Sequence, residues 1–198
     1  MSLVIAFCGK ERSFMVGDRR EIFLSGDESS IGTLEDELYS GKIRDEAGLY
    51  RRGRELGVGL FIRDDKCKVQ ERDGVLVGEV SESDGGTKRT RRLSVSCGHY
   101  VITEAHGRGE KEVARGTASR FVVLGNRVTQ EVANRCIASY WKAAGGGPAD
   151  ALRVILMAME EAASLTPSVS RGYTLVQTTQ CIAFPATEDK GDAGGPAP

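Results

Sequence analysis

The sequence predicts an α+β fold, and three observations carry that expectation. The opening run Leu3-Val4-Ile5-Ala6-Phe7-Cys8 is apolar without alternation, which marks a strand covered on both faces rather than one half-exposed to water. Short apolar runs then recur between turn signals, the clearest being Asp73-Gly74, a hairpin dipeptide. Late in the chain come two amphipathic helical stretches joined by Gly145-Gly146-Gly147, and such a helical hairpin needs a sheet to cover.

In order along the chain, Gly9–Ser13 is a turn, Phe14–Asp18 a returning strand and Glu21–Leu24 a further short one. Residues 33–56 change character. Thr33 and Asp36 form a capping-box-like start ahead of Leu34, Leu38 and Tyr39, Gly41 stops that helix, and Asp45–Leu56 offers a second one. Strands follow at Val58–Ile62, Cys67–Glu71, Val75–Val80, Leu93–Cys97, Tyr100–Thr103 and Phe121–Leu124. Val128, Val132, Cys136, Ile137 and Tyr140 make one helical stripe, with Thr129 as the expected N-cap. Pro148 suits the first turn of the next helix, which runs to Thr166-Pro167. Tyr173–Gln177 and Cys181–Phe184 read as closing strands. The Gly/Pro/charge-rich residues 185–198 read as a disordered tail, leaving residues 2–184 as one domain with a helical insertion at 33–56.

Composition excludes several function classes. The 198 residues carry 27 Lys+Arg against 28 Asp+Glu, so no net field favours a dedicated nucleic-acid or anionic-membrane binder. The cluster Lys88-Arg89-Thr90-Arg91-Arg92 reads as a solvated loop or strand edge. No apolar run reaches the roughly 18 residues of a membrane span, and MSLVIAFCGKER has neither the basic start nor the cleavage site of a signal peptide. Five scattered cysteines, none in C-x-x-C, argue against structural zinc or a disulfide framework and for a reducing cytoplasm. Two histidines, His99 and His106, lack metal-ligand spacing, and no phosphate-cradling glycine loop is present, so neither a metal nor a cofactor is expected. Cys8 reads as a small hydrophobe facing a helix layer, and Trp141 as packing.

The N-terminus is the chemically sharp feature. Ser2 is small enough for the initiator Met to be removed, which would leave a serine with a free α-amine at the root of a buried strand. Such a residue holds a nucleophile and a base together, because an α-amine with a pKa of about 7.7–8 is substantially unprotonated near neutrality. Met-Ser is also a common protein start, so the surrounding residues must decide.

Those residues resemble a known pattern. The stretch S-L-V-I-A-F-C-G-K-E-R-S-F-M-V-G-D-R-R is similar to the start of mature proteasome β subunits, with Ser2 and Asp18 at that family's spacing. V-L-V-G-E resembles the strand whose glycine amide serves as oxyanion donor, here Gly78. V-V-L-G-N-R-V-T, a helix pair and T-P-S-V-S-R-G-Y-T-L-V resemble that family's later turn and closing strand, with Asn126 and Thr166 replacing its Ser and Asp. More narrowly, M-S-L-V-I-A-F with V-G-D-R-R-E-I, E-L-Y-S-G-K-I and D-G-V-L-V-G-E-V resembles Connectase, a proteasome-related family of methanogenic archaea. That family usually opens with Thr, and the likeness spans about residues 2–183.

The resemblance implies a four-layer αββα sandwich of the N-terminal nucleophile type. It implies a protein ligase that cuts a Lys-Asp bond in a Lys-Asp-Pro-Gly-Ala-type motif and rejoins the fragment to another peptide amine. A plain N-terminal nucleophile peptidase or amidohydrolase, and a non-catalytic binding protein, are the alternatives. The implied partner is the A subunit of tetrahydromethanopterin S-methyltransferase. No nucleic acid, membrane insertion or cofactor is expected from the residues, and a free-standing ligase that must admit large protein substrates is expected to be a monomer. Ser2 would be nucleophile and base, Asp18 and a lysine its supporting pair, with Lys66 preferred, Lys68 second and Lys42 third. Arg20 reads as structural. Gly78 would supply the oxyanion amide, Asn126 would stand by the helix turn, and Ser168 or Ser170 would provide a nearby hydroxyl.

Overall fold

A computed structural model of the chain describes residues 3–84, 87–106, 109–144 and 146–185. The elements begin with β1 (Leu3–Cys8), β2 (Ser13–Asp18), β3 (Glu21–Ser25), α1 (Glu28–Tyr39), α2 (Glu46–Glu55) and β4 (Gly59–Arg63). Five strands follow: β5 (Val69–Arg72), β6 (Val75–Asp84), β7 (Thr87–Val95), β8 (His99–His106) and β9 (Gly109–Thr117). The chain then forms β10 (Arg120–Gly125), α3 (Arg127–Ala144), α4 (Pro148–Leu165) and β11 (Tyr173–Thr178). Ser2 and residues 186–198, where the tail is expected, lie outside the described residues.

The fold is α+β. One antiparallel sheet has the order β10-β1-β2-β11, so the N-terminal strand is central, as its unbroken apolar run requires. Its two faces build two cores by simple alternation. Leu3, Ile5, Phe7, Phe14 and Val16 face α3 and α4, whose Cys136, Ile155 and Met159 complete the first core. Val4, Ala6, Cys8 and Met15 face the second sheet, β5-β6-β7-β8-β9, and meet Val69, Leu76, Leu93 and Val95. Cys8 therefore packs between the sheets and not against helices, because it falls in the even set of β1. Burial pushes its thiol up to about 11, which leaves it an unreactive small hydrophobe. Trp141 packs on Phe7 and Phe121 with ring centroids 5.5 and 5.0 Å away.

Helices α1 and α2 cover the two-stranded β3-β4 ladder and make a third core of Leu34, Leu38, Ile43, Leu49 and Val58 with Ile22, Leu60 and Ile62. The first of these helices starts earlier than its Thr33 signal. Asp27 is the N-cap, accepting from the Ser30 amide at 3.1 Å, while the Thr33 hydroxyl bonds back to the Ser29 carbonyl. The second is capped by Asp45 as its sequence suggests. Helix α3 is capped by Asn126, whose Oδ1 accepts the Thr129 amide at 2.9 Å, so Thr129 sits one turn inside the helix. Asp73 and Gly74 both have positive φ, the twist-matched geometry of a two-residue hairpin between β5 and β6.

Two strand assignments differ from the pattern. β9 is a strand although G-E-K-E-V-A-R-G-T lacks alternation, because it is an exposed edge held by pairing to β8. Residues 181–184 are not a strand. They are held by side chains instead: the Ser96 hydroxyl donates to the Ile182 carbonyl, and Arg115 donates to the carbonyls of Phe184 and Pro185. The basic run lies on β7, where Arg91 pairs with Glu104 and Arg92 bridges Glu79 and Glu110, so those two cations are neutralised within the sheet. Among the described residues no helix is long and apolar enough to cross a membrane, and no cluster has metal-binding geometry.

Candidate active site

The site begins with a carboxylate that has no access to water. Asp18 ends β2 with its side chain fully buried, and four donors converge on it. The Leu3 amide and the Lys68 ammonium each donate to Oδ1 at 2.7 Å. The Arg20 amide donates to Oδ2 at 2.9 Å, and the Ser170 amide reaches it at 3.5 Å. Lys68 is 1% exposed, so burial pushes its ammonium below the usual lysine value, while contact with Asp18 opposes that shift.

The lysine expected first is elsewhere. Lys66 is half-exposed and pairs with Glu21, holding that carboxyl below its ordinary value. Lys68, two residues on, is the lysine that reaches Asp18. Lys42 lies in the α1–α2 connection, where it lines a surface cleft with Arg44 and Arg51.

Two glycines let this pair form. A Cβ on Gly17 would stand 2.8 Å from Val69 Cγ1 and 3.3 Å from Lys68 Cβ, so a side chain there would drive β5 away from β2. A Cβ on Gly78 would stand 2.7 Å from Met15 Sδ and 2.9 Å from Val4 Cγ1. The Gly78 amide does not fit the oxyanion role expected from its sequence. The Glu79 amide donates to the Lys68 carbonyl and the Ser96 amide to the His99 carbonyl, which fixes the alternation on both sides of β6 and β7. By that alternation Gly78 and Leu93 are the hydrogen-bonded pair, and the Gly78 amide is committed to β7. Its contribution is space.

Ser170 and Ser168 have different duties. Ser170 Oγ accepts the Arg19 amide at 2.8 Å and donates to the Gly172 carbonyl at 2.6 Å, locking the 168–172 turn beside Asp18. Ser168, Thr166 and Asn126 form a separate buried chain, with Thr166 Oγ1 3.0 Å from Ser168 Oγ and Asn126 Nδ2 3.3 Å from it. This chain ties the end of α4 to the start of α3 next to Gly125, the cross-strand partner of Leu3.

Sequence reasoning missed the reach of Arg20. Its guanidinium, 9% exposed, makes a bidentate pair with Asp64 at 2.8 and 2.7 Å, a 2.7 Å pair with Glu46 of α2 and a 2.9 Å bond to the Pro167 carbonyl. One side chain thus links helix α2, the chain leading to Lys68, and the turn leading to Ser170. The doubled Asp-Asp at 64–65 was the available signal, though nothing in it names Arg20. The Leu3 amide carried no signal at all, since every residue has one.

The site is therefore a buried Asp–Lys pair bound to the first described peptide amide of the chain. The family model for "Connectase MJ0548-like, N-terminal domain" matches residues 1–189. The chain belongs to the Connectase family. No curated protein matches it. Among solved structures, BPH from Thiobacillus denitrificans in complex with epoxomicin is similar at 9% identity and a TM-score of 0.50, covering 90% of this chain and 100% of that one. HslV from Trypanosoma brucei is similar at 11% identity and a TM-score of 0.47, covering 90% and 99%. The Gly-1 mutant of Anbu from Hyphomicrobium sp. strain MC1 has 11% identity and a TM-score of 0.42, covering 90% and 82%. The Connectase domain here has the α+β fold of the proteasome-like N-terminal nucleophile type.

Proposed function

We propose that this Connectase domain is a peptide ligase whose nucleophile is Ser2, freed by removal of Met1. The observation that carries the reading is the Leu3 amide bound to Asp18, because Leu3 N is the atom bonded to the Ser2 carbonyl carbon. A buried carboxylate and a buried lysine therefore adjoin the peptide unit of a hydroxyl-bearing second residue.

In this reading Ser2 Oγ attacks the carbonyl of the Lys-Asp bond in a Lys-Asp-Pro-Gly-Ala-type motif, and its proton passes to the α-amine. The tetrahedral intermediate expels the Asp amine, which takes that proton, and leaves an ester on Oγ. The α-amine then accepts the acyl group through a five-membered ring, giving an amide that water attacks slowly. An incoming amine reverses both steps. One amide replaces another, so the exchange is close to isoenergetic and needs no ATP. The positive charge of Lys68 beside Asp18 favours the unprotonated α-amine. The A subunit of tetrahydromethanopterin S-methyltransferase is the proposed protein substrate.

The test is intact mass after incubation with a Lys-Asp-Pro-Gly-Ala peptide. Wild type lacking Met1 should gain the acyl fragment, and the adduct should survive neutral hydroxylamine. Ser2→Ala should form none, and Ser2→Thr should retain it. An adduct released by hydroxylamine would indicate an ester on Oγ and favour a hydrolase. Full turnover with Met1 in place would overturn the mechanism.

A further inference from the structure

Beside the site, the first sheet and its helical layer stop one strand short of each other. β11 is an edge strand: it pairs with β2 on one side, and among the described residues no strand pairs with the other. Its odd residues face the α4 side, yet Tyr173 and Leu175 are 43% and 41% exposed. The flank of α4 above them is also incompletely covered. Leu152, Leu156 and Met157 line a groove of about 700 Å³ that ends at Arg171 and Tyr173. An unpaired strand edge and an uncovered helix flank together define a position for one more strand, whose alternate side chains would enter the groove.

We propose that the segment of the substrate preceding the cleaved bond binds there, as a β-strand added antiparallel to β11. This rests on the ligase reading and names how its substrate is held. The groove lies next to the site: Tyr173, which lines it, is the cross-strand partner of Asp18. β11 runs away from Asp18, so an antiparallel peptide arrives at the site with its C-terminal end. That selects the residues before the scissile bond. From β1 the added strand is three interstrand spacings away, about 14 Å, which about four extended residues span. The chain's own residues 186–198 contain no Leu, Ile, Val, Met or aromatic residue to fill the groove. Pro185, just before them, is held on β9 by Arg115. Arg153 and Arg171 against Glu160 give the lining a net positive charge, favouring an acidic residue among the inward positions.

The test uses three synthetic peptides: the Lys-Asp-Pro-Gly-Ala motif with short flanks, the same motif preceded by eight alternating Val and Thr residues, and that upstream octamer alone. Affinity is read by fluorescence anisotropy on Ser2→Ala protein, and amide exchange is followed in residues 173–178. The long peptide should bind at least tenfold more tightly than the short one and slow exchange across β11. N-methylating alternate upstream amides should remove that gain without altering the protein. Leu175→Asp and Met157→Asp should also remove it, bringing the affinity of the long peptide down to that of the short one. Equal affinity of long and short peptides would overturn the proposal. So would a dimer in solution that Leu175→Asp dissociates, because a second copy would then fill the position. If the motif peptides form no adduct but the octamer still protects β11, the ligase reading falls and the strand-binding surface stands.

Discussion

Two lysine–carboxylate pairs lie almost side by side in this molecule, and they do opposite things. Lys68–Asp18 sits in the seam between β2 and β5, 1% and 0% exposed, with every polar atom bonded. Lys66–Glu21 lies on the outer strip where β3 leaves the site, 41% and 21% exposed, with Arg63 sharing the carboxylate. The residues are of similar type and the lysines are two positions apart. In the seam, removing one partner leaves an unpaired charge where water cannot reach it. On the strip, water replaces the lost partner. The comparison teaches that the spacing of a lysine along the chain did not select the functional one. The two glycines that let β5 and β6 close on β1 and β2 did.

The largest effect should come from Lys68→Met. Removing one partner of a buried pair costs about 3–5 kcal/mol, measurable as a shift in the urea midpoint, and adduct formation should be lost. Lys66→Met should cost no more than about 1 kcal/mol, as exposed pairs do, and leave turnover within a few-fold of wild type. Similar losses for both would erase the distinction.

Widening the seam should have the next largest effect. Gly17→Ala places a methyl against Val69 and Lys68, an overpacking that costs about 1–3 kcal/mol. The expected signature is a rate loss larger than the change in KM, since the methyl displaces the Asp18–Lys68 contact before any substrate groove. Unchanged kcat in Gly17→Ala would show that the contact tolerates a wider gap.

The smallest effect concerns acid, and belongs to the exposed side. The Arg20 guanidinium holds the Asp64 carboxyl below its ordinary value. A carboxylate depressed in the folded state contributes stability that is full above its unfolded pKa, about 3.9. That contribution is lost as pH falls through the lower folded value. Asp64 is 44% exposed, so solvent screening reduces the contribution to at most about 1 kcal/mol. Asp64→Asn should therefore weaken the protein at neutral pH and flatten its stability profile below pH 4. An acid limb as steep as that of wild type would assign it to other carboxylates.

Much of the frame was legible in the residues. The unbroken apolar run of β1 marked a strand buried on both sides, and it is central in its sheet. The Asp73-Gly74 turn and the Gly-rich break between α3 and α4 are local signals that act through φ preferences and end where the sequence says. The family could be recognised because its motifs lie in contiguous stretches around Asp18 and Gly78.

Alternation within β1 set which residues share a face, yet not which face meets helices; that is why Cys8 lies between the sheets. Likewise the strand pattern around Gly78 marked a close approach, while only the register with β5 and β7 decided that its amide points into the ladder. The choice of Lys68 over Lys66 and the convergence of Arg20 on Glu46, Asp64 and Pro167 depend on contacts between residues dozens of positions apart. Sequence periodicity carries the direction of a side chain relative to its own strand. What lies in that direction is fixed only when separate strands dock, and here two glycines made that docking close enough to bury a charge pair.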